Sequence, residues 1–216
     1  MPQVENFITT LPAEQSSLSA PKHWDRSQVH REKNEGFAIA SQVNYVVQDS
    51  HLLKPHEDVD GSFSVVSSYL SKGLLWEKVR VMGGAYGGFA QFGPSSGKVV
   101  FLSYRDPNLS KTLDVYDSVS SFLQSTKISD EDILQTVIGC IGDLDTPMTA
   151  DQKGFVSMVR HLREETHDNR QKYREEVLNT SIEDFRVFAD KLAASKKDSS
   201  HGNSHHLSMD IFTFLS

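Results

Sequence analysis

The stretch VRVMGGAYGGFAQF, residues 79–92, holds the residue types best suited to chemistry. Four glycines, at 83, 84, 87 and 88, lie within six positions. Such density lets a backbone turn sharply or lets another chain approach closely. Arg80 and Tyr86 flank the first glycine pair. If Arg80 closes a helix and Tyr86 opens a strand, their side chains meet near one point. A guanidinium and a phenol both donate hydrogen bonds. Together they could hold a peptide carbonyl, or stabilise the oxyanion that develops when water attacks it. Structural readings stand beside this one. Arg80 at a helix C-terminus favours the helix dipole, and Tyr86 could be a sheet residue half in the core. The glycines are not a dinucleotide fingerprint, because they follow a helix and precede a strand. They also lack the Lys-Ser/Thr of a phosphate-binding P-loop.

Tyr104-Arg105-Asp106-Pro107 is a second candidate. Asp106 is placed to cap the next helix and Arg105 to pair with a carboxylate, which makes a structural corner. No metal ligand set is legible. A zinc-binding H-E-x-x-H, or its inverse H-x-x-E-H, puts two histidines on one helical face. The nearest approach is His161-Leu162-Arg163-Glu164-Glu165, which reads as a solvated helix face. His201, His205 and His206 lie in a Gly/Asn/Ser context without the rigid support that a catalytic metal site needs. The single cysteine, Cys140, sits in the apolar run VIGCIG and reads as a small buried hydrophobe. No Ser/His/Asp motif is present.

The elements that would position these residues follow from periodicity. Residues 1–35 are polar, with three prolines, and read as a connector that includes a short helix around Val4 to Leu11. Phe37 to Val47 reads as a strand, and residues 48–61 as a polar loop. Phe63, Val66, Leu70 and Leu74 mark a helix from Ser62 to Val79. Tyr86–Phe92 and Lys98–Tyr104 form a hairpin through Gly93-Pro94-Ser95-Ser96-Gly97. Asp106-Pro107 starts a helix. Capping-box pairs Ser129/Asp132, Thr149/Gln152 and Thr180/Glu183 start three more. The stretch from Ser195 to Ser208 is rich in Lys, Ser and His and low in apolar residues. The last residues, MDIFTFLS, are apolar but isolated, and 195–216 is expected to be a disordered or unrelated tail. The order predicts an α+β domain over residues 36–194, an antiparallel sheet covered on one face by helices.

Composition narrows the function. The chain has 216 residues, a net charge of −7 and no Lys/Arg cluster, so a nucleic-acid partner is not expected. The acidic balance serves solubility and could also attract basic peptides. No apolar stretch approaches the ~20 residues that span a bilayer, so no membrane partner is expected. The N-terminus carries Glu5 and Glu14 and no arginine, unlike a transit peptide.

EGFAIASQVNYVV, LLWEKVRVMGGAYGGFAQF and VVFLSYRDPNLSKTLDVYD resemble the last domain of presequence proteases, pitrilysin/insulinase-like inverzincins, most closely the plant and algal organellar branch. The likeness runs over roughly residues 36–192, through IGDLDTPMTADQKGF and REEVLNTSIEDFRVFADKL. It implies one part of a two-part zinc metalloendopeptidase that degrades targeting peptides and other short unfolded peptides in mitochondria or plastids. Zinc would sit in an N-terminal catalytic half that this chain lacks, so the chain binds none and is inactive alone. The resemblance maps Arg80 and Tyr86 onto the pair that binds the substrate backbone near the scissile bond, with Gly83 and Gly84 as backbone contacts. It also implies a domain incomplete at both ends, because the family has a further strand after the ADKL helix. A non-catalytic interaction module and a non-functional fragment are the alternative readings.

Overall fold

Alternation of apolar and polar residues builds the sheet, and apolar residues at three- and four-residue spacing build the helices that cover it. The computed structural model describes residues 5–6, 9–10, 34–38, 40–54, 57–200 and 209–213. It divides at residues 31/32. In the first unit, residues 5, 6, 9 and 10 are helical, and the Thr9 hydroxyl donates to the Asn6 carbonyl at 2.8 Å.

The second unit opens with β1 (Asn34–Ala38) and β2 (Asn44–His51). The single strand expected over 37–47 is thus two strands, and the second continues into the segment expected to be loop. The reason is that its polar residues find partners. Gln48 and Asp49 are buried; Gln48 donates to Asp117 at 3.3 Å, and Lys98 donates to Asp49 at 2.5 Å. Helix α1 (Ser62–Lys72) follows. Its core face is Phe63, Val65, Val66 and Leu70, each at most 1% exposed. Gly73 ends it, and a wide-turned π segment, Trp76–Met82, takes over.

Strands β3 (Gly87–Gly93) and β4 (Lys98–Asp106) pair antiparallel in the expected hairpin, Phe89 opposite Leu102 and Phe92 opposite Val99. β4 then pairs antiparallel with β2. Helices α2 (Ser110–Ser125), α3 (Asp130–Leu144), α4 (Ala150–Leu162), α5 (His167–Leu178) and α6 (Ile182–Ser200) complete the helical layer. Ser129 accepts from the Asp132 amide at 3.1 Å, and the Thr149 amide donates to Gln152 at 2.9 Å, as their spacing predicts. The third start lies one residue later than expected, where the Ser181 amide donates to Asp184 at 2.7 Å. A fourth, Thr166 with Asn169, was not anticipated from sequence. Helix α2 starts at Ser110 rather than at the Asp106-Pro107 pair, because Asp106 is still part of β4.

The expected unstructured tail needs correction. Helix α6 runs on to Ser200, since Phe185, Phe188, Leu192 and Ser195 continue one buried face. Residues 209–213 form β5, between β1 and β2 in the sheet order β1-β5-β2-β4-β3. A strand therefore does follow the ADKL helix. Strand pairing is made by backbone groups, so the low apolar content around it hid the element. β5 is antiparallel to β2 and parallel to β1. Residues 201–208, with His201, His205 and His206, lie outside the described residues.

The core lies between sheet and helices. Val46, Ala90, Phe92, Val99 and Phe101 face it, and Phe63 makes edge contacts with Phe92 and Phe188. On the opposite face Phe89 and Tyr104 are exposed. This is the α+β architecture expected, with helices on one face of the sheet.

Candidate functional site

The two motifs singled out from sequence fold against each other. The π segment is pressed onto β3 at one point of close approach. A side chain at Gly88 would place its Cβ 2.9 Å from Val79 Cβ, so only glycine fits there without displacement. Val79 is 1% exposed, so the segment is anchored through it. The Gly84 amide donates to the Arg80 carbonyl at 3.0 Å and the Ala85 amide to the Val79 carbonyl at 3.1 Å. Gly84 then reverses the chain at φ 81°, in the left-handed region that glycine adopts without steric cost. The Tyr86 amide donates to the Tyr104 carbonyl at 3.0 Å and so joins the turn to β4.

The other motif supplies the brace. Asp106 is fully buried, and its carboxylate accepts from the Asn108 amide at 2.8 Å and from the Thr112 hydroxyl at 2.6 Å. The Asn108 side-chain amide donates to the Gly83 carbonyl at 2.6 Å. The glycine loop is thus tied through Asn108 to a buried carboxylate. Asp106 is thus a hub between strand, loop and helix rather than the expected cap, because it still belongs to β4 and the N-cap position of α2 is Leu109, with no side-chain cap hydrogen bond. Arg105 has φ 49°, a conformation of the kind reserved for tight corners. Among the described residues no carboxylate lies within ion-pair distance of it; its guanidinium lies 5.5 Å from the centre of the Tyr104 ring.

Trp76, Arg80, Val81, Gly84, Ala85, Tyr86 and Arg105 line one open concavity of about 650 Å³. Arg80 and Tyr86 therefore line one concavity, although the π segment closes at Met82 rather than at Arg80 and β3 opens at Gly87 rather than at Tyr86; Gly84, named by the resemblance, lines it too. Gly83 is not among the lining residues; its carbonyl is taken by Asn108. Arg105 was read as a structural corner, and the structure adds it to the site. Its signal in the sequence was weak, because only the fold brings the end of β4 beside the π segment. Trp76 was not anticipated as a site residue. Its ring lies under the Arg80 guanidinium, 3.8 Å from ring centre to carbon. Tyr86 is 66% exposed and makes an edge contact with Tyr104, which makes another with Tyr45. The site is thus a pair of guanidiniums and a phenol on an aromatic wall, an arrangement able to donate several hydrogen bonds to carbonyl or carboxylate oxygens.

Among the described residues, no group of three or more His, Cys, Asp or Glu is placed to hold a metal ion. His161 is exposed near the end of α4, and Glu165 pairs with Arg160 at 3.6 Å, so that motif does not form a ligand set. Cys140 is buried, and burial pushes its thiol pKa up, which suits packing better than nucleophilic attack. No helix among the described residues is long and apolar enough to cross a membrane.

A family model described as the PreP C-terminal domain matches residues 34–204. Presequence protease 1, chloroplastic/mitochondrial, of Arabidopsis thaliana is 45% identical over 186 residues, covering 86% of this chain and 17% of that protein. The chain therefore spans about a sixth of that relative's length. Among solved structures, the inactive peptidase domain of a candidate zinc protease from Bordetella parapertussis aligns with a TM-score of 0.58 at 16% identity, covering 71% of this chain and 87% of that one. The peptidase M16 inactive domain from Pseudomonas fluorescens gives 0.56 at 15% identity, covering 85% and 44%. At such identities the two structures speak for the fold alone.

Proposed function

This chain belongs to the PreP C-terminal domain family of presequence proteases, and on that premise we propose that it is the substrate-closing domain of a zinc metalloendopeptidase. In this reading a separate N-terminal catalytic half holds the zinc and the general base, and this chain is inactive alone. Its substrates are targeting peptides and other short unfolded peptides, in a mitochondrion or plastid. The net charge of −7 favours encounter with basic peptides. The peptidase-family domain expected over residues 36–194 would extend from β1 at Asn34 to β5 at Thr213, since both strands belong to its sheet.

One observation carries the proposal. Arg80 and Tyr86 line the same concavity, and no carboxylate among the described residues lies within ion-pair distance of Arg80. A guanidinium left with free donors beside a phenol suits an oxygen that gains negative charge during the reaction. Such donors act most strongly when a closing surface excludes water. Arg80 and Tyr86 would donate to the scissile carbonyl oxygen, and Gly84 would leave room for the substrate backbone. Arg105, which also lines the concavity, adds a second cation.

The test is reconstitution. The purified chain is mixed with a matching zinc-bearing half, and cleavage of a fluorogenic basic peptide is followed with and without chelator. Chelator-sensitive cleavage that needs both pieces is expected, with Arg80→Ala lowering kcat/KM by on the order of 10²–10³. Unchanged kinetics in that variant would remove Arg80 from the role.

A second reading has its own support. Helix α4 leaves Phe155, Met158 and Leu162 exposed at i, i+3 and i+7. That stripe suits a non-catalytic interaction module, for which tight binding of the zinc-bearing half without turnover is the expected result.

A further inference from the structure

We infer that Trp76 is the positioning residue for Arg80, holding its guanidinium by stacking and leaving its donors for the substrate; this rests on the reading of Arg80 given above. The two residues stand four apart on the π segment, with the Arg80 guanidinium carbon 3.8 Å from the centre of the Trp76 ring. That is van der Waals contact, and the indole face attracts a cation.

An arginine in a site can be held in place in two ways. A carboxylate fixes it through its N–H edges, which consumes the donors and neutralises the charge. An aromatic face fixes it through its flat side and leaves the edges free. The carboxylate nearest in sequence, Glu77, lies instead within 3.8 Å of Lys78. No ion pair to Arg80 is found among the described residues, so the indole is the partner that orients it.

The backbone beneath the pair is fixed as well. Val79, between them, is buried against Gly88, and the Arg80 carbonyl accepts from the Gly84 amide. Trp76 itself is 47% exposed and lines the concavity. A large aromatic left half in water on a segment this constrained contributes little to the core. Its side chain does its work toward Arg80.

Two measurements test the inference. The first uses the chain alone. The sequence has two tryptophans, so Trp24→Phe leaves Trp76 as the sole indole emitter. In that background Arg80→Gln is expected to change the Trp76 emission and raise its quenching by acrylamide. An unchanged spectrum and unchanged quenching would mean that no stack exists in solution, and would overturn the inference whatever the activity data show. The second is a double-mutant cycle in the reconstitution assay. Trp76→Ala is expected to lower kcat by about fivefold to tenfold with KM little changed, the size of one cation–π contact. Trp76→Phe should restore most of the loss. In an Arg80→Ala background, Trp76→Ala should have no further effect. An equal loss in both backgrounds, or a change in KM alone, would show that Trp76 contacts the substrate directly and would overturn the positioning role. If Arg80→Ala is itself silent while the fluorescence shows the stack, the proposed role of Arg80 falls, and with it the catalytic consequence drawn for Trp76.

Discussion

The corner around Asp106 and helix α4 are built in opposite ways. At the corner, a carboxylate with no exposed surface ties a strand end, a glycine loop and a helix start together. Helix α4 is well started, with Thr149 and Gln152 in a capping box, yet it contributes no buried residue. Local signals were enough to make α4 a helix, but among the described residues it buries none of its side chains fully. The corner depends on contacts between residues far apart in sequence, and it is where the candidate site sits. Secondary structure and anchorage are therefore separate properties. The candidate site lies beside the anchored corner, not on the unanchored helix.

Substitutions can break this contrast. Asp106→Ala should have the largest effect. It leaves the Asn108 amide and the Thr112 hydroxyl without their acceptor and removes the brace behind the glycine loop, at a cost of about 3 kcal/mol. Urea denaturation followed by circular dichroism would show it as a lower midpoint. A midpoint equal to wild type would mean that the hub is not anchoring the corner. Gly88→Ala comes next. Its Cβ would sit 2.9 Å from Val79 Cβ, so the π segment must move, with an overpacking cost of about 1–3 kcal/mol. The melting temperature should fall and the Trp76 fluorescence should shift with it. Phe155→Ser in α4 should be nearly silent, within about 0.5 kcal/mol of wild type in the isolated chain. A large loss there would reveal packing of α4 within this chain and dissolve the comparison. A loss seen only after the zinc-bearing half is added would sharpen it.

These differences also mark what could be read from the sequence. Helix α1, the β3–β4 hairpin and two of the capping boxes were legible, because each depends on residues within a few positions of one another. Arg80 and Tyr86 were legible as a pair for the same reason, while Gly84 came from the resemblance. Trp76 and Arg105 were not. Trp76 lacks a motif, and a regular helix over 62–79 gave no hint of a π turn that carries its ring under Arg80. Arg105 joins the site only because the fold brings the end of β4 beside the π segment, which its own corner motif did not signal. The polar end of β2 was missed because Asp49 and Gln48 are stabilised by Lys98 and Asp117, which are remote in the chain. Strand β5 was missed because its context is polar and its partners are backbone groups.

The position of β5 bears on how the molecule is made. Asn34 is matched with Met209, and Tyr45 with Phe212, so the slot between β1 and β2 is filled by residues synthesised long after both. On the ribosome, β2, β4 and β3 can pair as soon as residue 106 has emerged, but the β2 edge stays open until residue 213 is free of the exit tunnel. During that interval the edge is a template for any other extended chain. Co-translational chaperone contact is expected to matter most in that window, and a ribosome stalled upstream of residue 209 would release a chain with its sheet unfinished.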